Sequence, residues 1–398
     1  MTSVLAEVGK IVEVRAAPRR IRFEHLDGIR GMTSLYVVLA HVGILIDRDG
    51  VWPWLKWVID LTRGGHTAVS IFIVLSGYCL MMPVIRSRNS NSPSNLDSIG
   101  GFLPYIGRRA RRILPPYYAI LILCLLVMAL VPGGPRPVGN WWSTMWPAFT
   151  KGVLISHFLL VHNLNEGWVY KIDAPMWSVA TEWQIYFLFP LVLLPIFRKL
   201  GVAPLIVCSI AIGLAPLYFF RRFEWASPWF SALFAIGMAS AVGFGRRDRR
   251  RGYLAIAASF AVIAAALTIC EGRLSIRGSW KFQFVMDLVS GGAVGGFLAW
   301  AAERVMLETT LPARFRSPIL LFLTSRIATW LGMFSYSLYL THALVLVVLN
   351  LIISKLLLNP NARALGILGL GTFLSIGFAF LFYLAAEKPF LRQQGNRN

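Results

Sequence analysis

Ten apolar stretches recur along the chain, at roughly 29–46, 67–85, 113–131, 177–197, 202–220, 228–244, 253–271, 283–301, 328–352 and 364–386. Each suits the hydrocarbon layer of a bilayer, about 30 Å thick, which a helix rising about 1.5 Å per residue crosses in about 20 residues. Lipid offers no water to backbone amides, so only helices or closed barrels span it. Continuous runs of this length predict an all-α integral membrane protein of about ten transmembrane helices. Composition agrees: 57% of residues are hydrophobic and only 14% charged, where a soluble domain carries about 25%.

The net charge of +21 invites a nucleic-acid reading, but the basic residues are dispersed among short loops. They serve better as topology signals facing anionic headgroups. With the amino terminus in the cytoplasm, 25 of the 39 Lys and Arg fall on the inner side and 13 on the outer, Arg30 at a helix mouth being the last. The densest clusters, Arg108–Arg112 (RRARR) and Arg246–Arg251 (RRDRRR), are both inside, and both termini are then cytoplasmic.

Residues 151–165, KGVLISHFLLVHNLN, are apolar but short; a full crossing there would invert every later loop, so they are expected to be re-entrant or interfacial. The Trp-, Gly- and Pro-rich stretch from Pro132 to Pro175 reads as an outer loop region, a lid over a cavity. Residues 87–101 read as a polar cytoplasmic loop. Residues 1–22 lack the apolar stretch of a cleavable signal, so the first span is expected to act as an uncleaved anchor. The chain thus divides into a cytoplasmic segment 1–28, one multi-span unit 29–386 and a short tail 387–398, without an inverted repeat. The four cysteines, Cys79, Cys124, Cys208 and Cys270, all lie in apolar segments and are expected to be free, buried thiols; no metal site is expected.

Polar side chains inside membrane helices are costly and point to function. In FEHLDGIRGMTSLYVVLAH, residues 23–41, Asp27 and Arg30 stand at the mouth of the first helix, and His41 follows Arg30 by eleven residues. Eleven steps of about 100° make just over three turns, so Arg30 and His41 share one face, about 16 Å apart. A histidine satisfied by a neighbouring helix is the plainer alternative. His66 opens the second span, facing water or a cavity, while Ala68, Ser76 and Gly77 would let helices approach closely. Arg108, Arg109, Arg111 and Arg112 open the third span; guanidinium groups hold phosphates bidentately, although such a cluster also serves as a topology signal.

Glu182 lies about one turn inside the fourth span, among Trp177, Trp183 and Tyr186, and needs a partner there. His41 occupies a helix running the other way at similar depth, so the two are expected to meet as a general base and its orienting acid. Ser335, Tyr339 and His342, at steps of four and three, make a polar stripe on the ninth span that helix–helix hydrogen bonding would equally explain. Glu387, beside Lys388 and Pro389, reads as an inexpensive interfacial charge. His25, His157 and His162 read as loop or packing residues.

Taken in order, these segments resemble the membrane acyltransferase-3 family. HLDGIRGMTSLYVVLAH carries its Arg, ten residues and His; SIFIVLSGY, RRARRILPPYY, WSVATEWQIYFLFP, FSYSLYLTH and EKP follow in family order, spanning residues 25–389. Two departures stand out. The family often has an acidic residue and paired Phe where this chain has Thr67 to Ile73, and two acids where it has Thr181 and Glu182. The resemblance implies a bacterial inner-membrane O-acyltransferase, most often an O-acetyltransferase, with no bound cofactor. It would move the acyl group of cytoplasmic acyl-CoA to a sugar hydroxyl of a surface polysaccharide, lipopolysaccharide or other glycosylated acceptor, directly or through an acyl-histidine.

In that reading His41 takes the hydroxyl proton, Glu182 and Asp27 support it, and Arg30, Arg108, Arg109, Arg111 and Arg112 hold the phosphates of the coenzyme. Tyr186, Ser335, Tyr339 and His342 complete the substrate path. Because some relatives carry a second, soluble transferase domain, a chain ending at Asn398 is expected to finish the transfer itself or to hand acyl to a separate protein. Two other readings compete: a transporter or flippase of glycolipid intermediates using a His–Glu proton relay, and a non-catalytic membrane scaffold. Dependence on acyl-CoA separates all three.

Overall fold

The computed structural model of the chain describes residues 23–62, 64–89, 101–130, 144–146, 149–243, 249–274, 279–308, 316–356 and 359–392. The amino-terminal segment 1–22, positions 90–100 of the polar loop, 132–143 and 147–148 of the Trp-rich stretch, 246–248 of the second arginine cluster and the tail from 393 lie outside the described residues. Among the described residues there is no strand, and ten helices are long and apolar enough to cross a membrane. The protein is a multi-pass helical membrane protein.

We number the spans α1 (Glu24–Leu45), α2 (Gly65–Asn89), α3 (Phe102–Leu130), α4 (Met176–Leu188, continued to Leu200), α5 (Val202–Phe219), α6 (Phe230–Val242), α7 (Arg250–Leu274), α8 (Trp280–Glu308), α9 (Ser335–Leu356) and α10 (Pro360–Gly366, continued to Arg392). α1 starts five residues ahead of the expected span. Glu24 and Asp27 fill its first turn, where carboxylates favour the positive end of the helix dipole. The expected ninth span is divided. A short helix, Arg326–Met333, is capped by the Ser325 hydroxyl accepting the Ala328 amide at 3.3 Å, and α9 begins only at Ser335. Residues 151–165 form an eight-residue helix, Lys151–Phe158, and a turn at His162–Leu164. Eight residues reach about 12 Å, far short of a crossing.

Lipid tails are as apolar as leucine, so close packing rather than water exclusion holds such helices together. Two spans that cross in close contact are α2 and α6. A methyl group on Gly77 would stand 2.1 Å from the Phe234 carbonyl oxygen, and one on Gly237 would stand 2.0 Å from that of Val74. Each glycine therefore lets one backbone rest directly on the other. α1, α2, α6 and α9 form the interior, whereas only 6% of the apolar span of α7 is buried. α7 lies at the rim. All four cysteines are free, but only Cys124 is buried; Cys79 and Cys208 are half-buried, and Cys270, on rim helix α7, is exposed.

Candidate active site

Two chambers lie within the bundle, on either side of one tyrosine. The first, of about 90 Å³, is lined by Arg30, Cys79, Arg109, Arg112, Glu182 and Tyr186, with Ser335 and Tyr339 completing its wall. Arg30 is anchored on both arms of its guanidinium: Nη1 meets Asp27 Oδ1 at 3.3 Å and Nη2 meets Cys79 Sγ at 3.0 Å. Helical geometry divides the arginine cluster. Arg109 and Arg112, three residues apart, share the face turned to the chamber, while Arg108 and Arg111 are not among its lining residues and Arg111 is exposed. The expectation that all four act together is corrected accordingly. Pro115 and Pro116 interrupt the α3 ladder at this point, and the Tyr336 hydroxyl donates to the Ile113 carbonyl at 3.1 Å.

Glu182 belongs to this chamber. It accepts hydrogen bonds from the Ser76 hydroxyl and, at 2.5 Å, from the Tyr186 hydroxyl one turn along its own helix. The expected His41–Glu182 pair is therefore corrected: Glu182 turns to Ser76 of α2 and Tyr186 of its own helix, whereas His41 turns to His342 of α9.

The second chamber, of about 540 Å³, is lined by His41, His66, Tyr170, Pro175, Trp177 and Tyr339. Here His342 takes the place expected of Glu182. Its Nε2 lies 3.2 Å from His41 Nδ1, with ring centroids 4.8 Å apart. Carbonyl oxygens only accept, and this fixes the protons. His342 Nδ1–H donates to the Leu338 carbonyl at 3.1 Å, which leaves its Nε2 as an acceptor. His41 Nδ1 lies 2.9 Å from the Val37 carbonyl and faces that acceptor, so Nδ1 carries the hydrogen and Nε2 the lone pair.

Tyr339 and Val69 line both chambers. The Tyr339 hydroxyl is 2.5 Å from Ser178 Oγ and 3.2 Å from the Pro175 carbonyl, so this wall is polar and braced. Arg30 and His41, eleven residues apart on α1, mark its two sides, about 16 Å from one another along the axis.

Other candidates occupy different places. Ser335 donates to the Gly332 carbonyl at 3.0 Å while lining the first chamber. Glu387 is not an interfacial charge: it is buried and accepts from Ser337 Oγ at 2.6 Å, because its turn packs against α3 and α9. Tyr170, Ala174 and Pro175 place part of the expected lid against the second chamber. Behind them His157 and His162 stack at 4.0 Å, and burial lowers the pKa of both rings. Asp173 is buried with neither oxygen partnered, and burial pushes its carboxyl well above the ordinary range.

Asp287 is missing from the candidates of the sequence, although a lone carboxylate seven residues into a span was signal enough. It is fully buried and accepts from Ser70 Oγ at 2.8 Å, Trp229 Nε1 at 2.8 Å and Gln283 Nε2 at 3.0 Å, with His66 Nε2 also at 3.0 Å.

Among the described residues, a bundle with ten candidate spans holds a guanidinium-lined chamber and a histidine pair: a multi-pass membrane protein with a buried polar site. The chain belongs to the acyltransferase-3 family, whose model, described as an acyltransferase domain, matches residues 23–384. It is 24% identical over 337 residues to the peptidoglycan O-acetyltransferase OatA of Listeria monocytogenes serovar 1/2a, which covers 80% of this chain and 48% of that protein. It is 25% identical over 201 residues to the acyltransferase MdmB of Streptomyces mycarofaciens, covering 50% and 46%. A third relative, nose resistant to fluoxetine protein 6 of Caenorhabditis elegans, is 22% identical over 227 residues, covering 50% and 25%. The chain spans about half the length, or less, of the curated relatives it matches. No solved structure matches it. The stretch Thr67 to Ile73, where the family often carries an acid, receives one from α8 through the Ser70–Asp287 hydrogen bond.

Proposed function

We propose that the protein is a membrane O-acyltransferase, most readily an O-acetyltransferase, that uses an acyl-CoA donor and a sugar hydroxyl as acceptor. The observation that carries this reading is the pair of chambers meeting at Tyr339, with guanidinium groups on one side and the His41–His342 pair on the other. Phosphates of the coenzyme suit Arg30, Arg109 and Arg112, since charge-assisted bonds to guanidinium are short and directional. Glu182, bonded to Tyr186 and Ser76, sets the shape of that chamber. The pantetheine arm then brings the thioester to the wall at Tyr339.

From the second chamber, His41 Nε2 takes the proton of the acceptor hydroxyl as its oxygen attacks the thioester carbonyl carbon. The new C–O bond forms, the C–S bond breaks, and the proton passes from His41 to the leaving thiolate, giving an ester and free coenzyme A. His342 keeps the His41 hydrogen on Nδ1 throughout. General-base assistance of this kind contributes about 10²–10⁴ in rate. The arginine chamber faces the cytoplasm of a bacterial inner membrane and the His41 chamber the outer side, which follows the distribution of Lys and Arg in the loops.

The test is thiol release from acetyl-CoA by purified protein with a panel of glycans. Release that requires both a glycan and Arg109 and Arg112 supports the reading. A protein that consumes no acyl-CoA with any glycan, yet moves a labelled glycolipid across vesicles, would establish the transport alternative.

A further inference from the structure

Asp287 and His66 form a second hydrogen-bonded dyad, and nothing in the acyl-transfer scheme uses it. Trp229 and Gln283 can only donate through the nitrogens that face Asp287, and Ser70 donates as well. Three donors hold the side chain as an acceptor, so His66 Nε2–H donates too. The lone pair of His66 then sits on Nδ1, which makes no hydrogen bond to any described residue. Asp287 is 0% exposed and the His66 side chain 31% exposed. The ring stacks on Trp177 at 5.6 Å, nearly parallel at 18°, so its orientation is fixed from below as well as from behind.

His66 lines the same chamber as His41, and also a second cleft, of about 660 Å³, that runs between α1, α2, α8 and the rim helix α7. One chamber therefore holds two imidazoles, each with its lone pair fixed by a different partner. A monohydric alcohol reaches only one of them. Two hydroxyls on one molecule reach both, and the walls supplied by Trp177 and Tyr170 suit the C–H face of a sugar ring. The chamber volume falls within the range of about 300–1,000 Å³ usual for small-molecule sites.

We propose that the His66–Asp287 dyad is an acceptor-binding site that holds a second hydroxyl of a polyol while His41 takes the first. The proposal rests on the acyl-transfer reading for the role of His41, but the binding it describes is measurable without turnover. His66 is a positioning residue here, acting through a hydrogen bond to the acceptor, and Asp287 acts through His66.

The experiment uses the full chain in nanodiscs and diethyl pyrocarbonate, which modifies unprotonated imidazole nitrogens, with His66 followed by peptide mass spectrometry. Methyl α-glucoside and N-acetylglucosamine are the probes, and isopropanol at equal concentration is the monohydric control. At least one sugar should slow modification of His66 fivefold or more, isopropanol should not, and Asp287→Asn should reduce the protection below twofold. No protection by either sugar, equal protection by isopropanol, or undiminished protection in a folded Asp287→Asn protein would overturn the proposal. If Asp287→Asn fails to fold, Gln283→Leu, which removes one donor to the same carboxylate, replaces it under the same criteria. Protection without acyl transfer would remove the enzymatic reading and leave the site; transfer without protection would do the reverse.

Discussion

His342 Nε2 stands 3.2 Å from His41 Nδ1, and the partner that orients the candidate base is a neutral ring rather than a carboxylate. At membrane depth the distinction carries weight, because an ion pair formed with a carboxylate must be desolvated on both sides. A neutral acceptor fixes the tautomer without that cost. His342→Ala should lower kcat by about 10²-fold and leave the KM for donor nearly unchanged. His342→Gln, which offers an amide oxygen as acceptor, should recover part of the loss. Steady-state kinetics on purified protein decide it.

Arg109 and Arg112 face the first chamber and Arg111 is exposed. Hydrogen bonds to charged groups are worth about 1.5–3 kcal/mol, so Arg109→Ala or Arg112→Ala should raise the donor KM by about 10- to 100-fold. Arg111→Ala should change it less than twofold. A donor titration checks all three.

Glu182 bonds Ser76 and Tyr186 beside those arginines. Glu182→Gln should therefore act on the donor KM and leave the pH profile of kcat in place. A carboxylate orienting His41 would do the opposite. The pH–rate profile of the variant distinguishes the two.

At the α2–α6 crossing, a methyl on Gly237 would meet the Val74 carbonyl oxygen at 2.0 Å. A backbone oxygen cannot swing aside as a side chain does. Gly237→Leu should abolish the folded protein, read as loss of the monodisperse peak in size-exclusion chromatography, while Gly107→Ala, with open space around it, should not.

The loop segment carries opposing pH dependences. His157 and His162 have pKa values below the ordinary 6.5, chiefly through burial. Their contribution to stability is present above about pH 6.5 and is lost as pH falls below it, since the unfolded chain takes up protons the folded one excludes. Asp173 has its carboxyl raised above 3.8 by burial, so its contribution is present below that value and is lost as pH rises through the raised one. Asp173→Asn should raise the melting temperature at pH 7 by a few degrees, about 1.4 kcal/mol corresponding to each pKa unit removed. His162→Phe should flatten the fall in melting temperature between pH 7 and pH 5.

Much of the bundle was legible because lipid imposes a single rule on length and polarity. All ten spans follow from apolar runs alone, whereas the expectation that four arginines act together overlooks the helical face that Arg109 and Arg112 share. The stripe of Ser335, Tyr339 and His342 was visible too, though not the different neighbours its members meet. What escaped depends on helix depth and azimuth, which periodicity does not carry. Glu182 and His41 match in distance from their span ends, but they face different helices, Glu182 towards Ser76 of α2 and His41 towards His342 of α9. Asp287 was legible as a carboxylate inside a span, but not its partners, since no local pattern joins it to Ser70 of α2 and to Trp229 just ahead of α6. Glu387 reads as superficial at the end of its span, and only tertiary packing against Ser337 of α9 buries it.

The central claim is that His41 completes acyl transfer between the two chambers. The most direct measurement uses proteoliposomes with labelled acetyl-CoA sealed inside and a glycan acceptor outside, comparing the native protein with His41→Ala at equal incorporation. The account predicts acetylated glycan outside only with the native protein, and a fall of about 10²-fold or more with the variant. Undiminished acetylation by His41→Ala would contradict it.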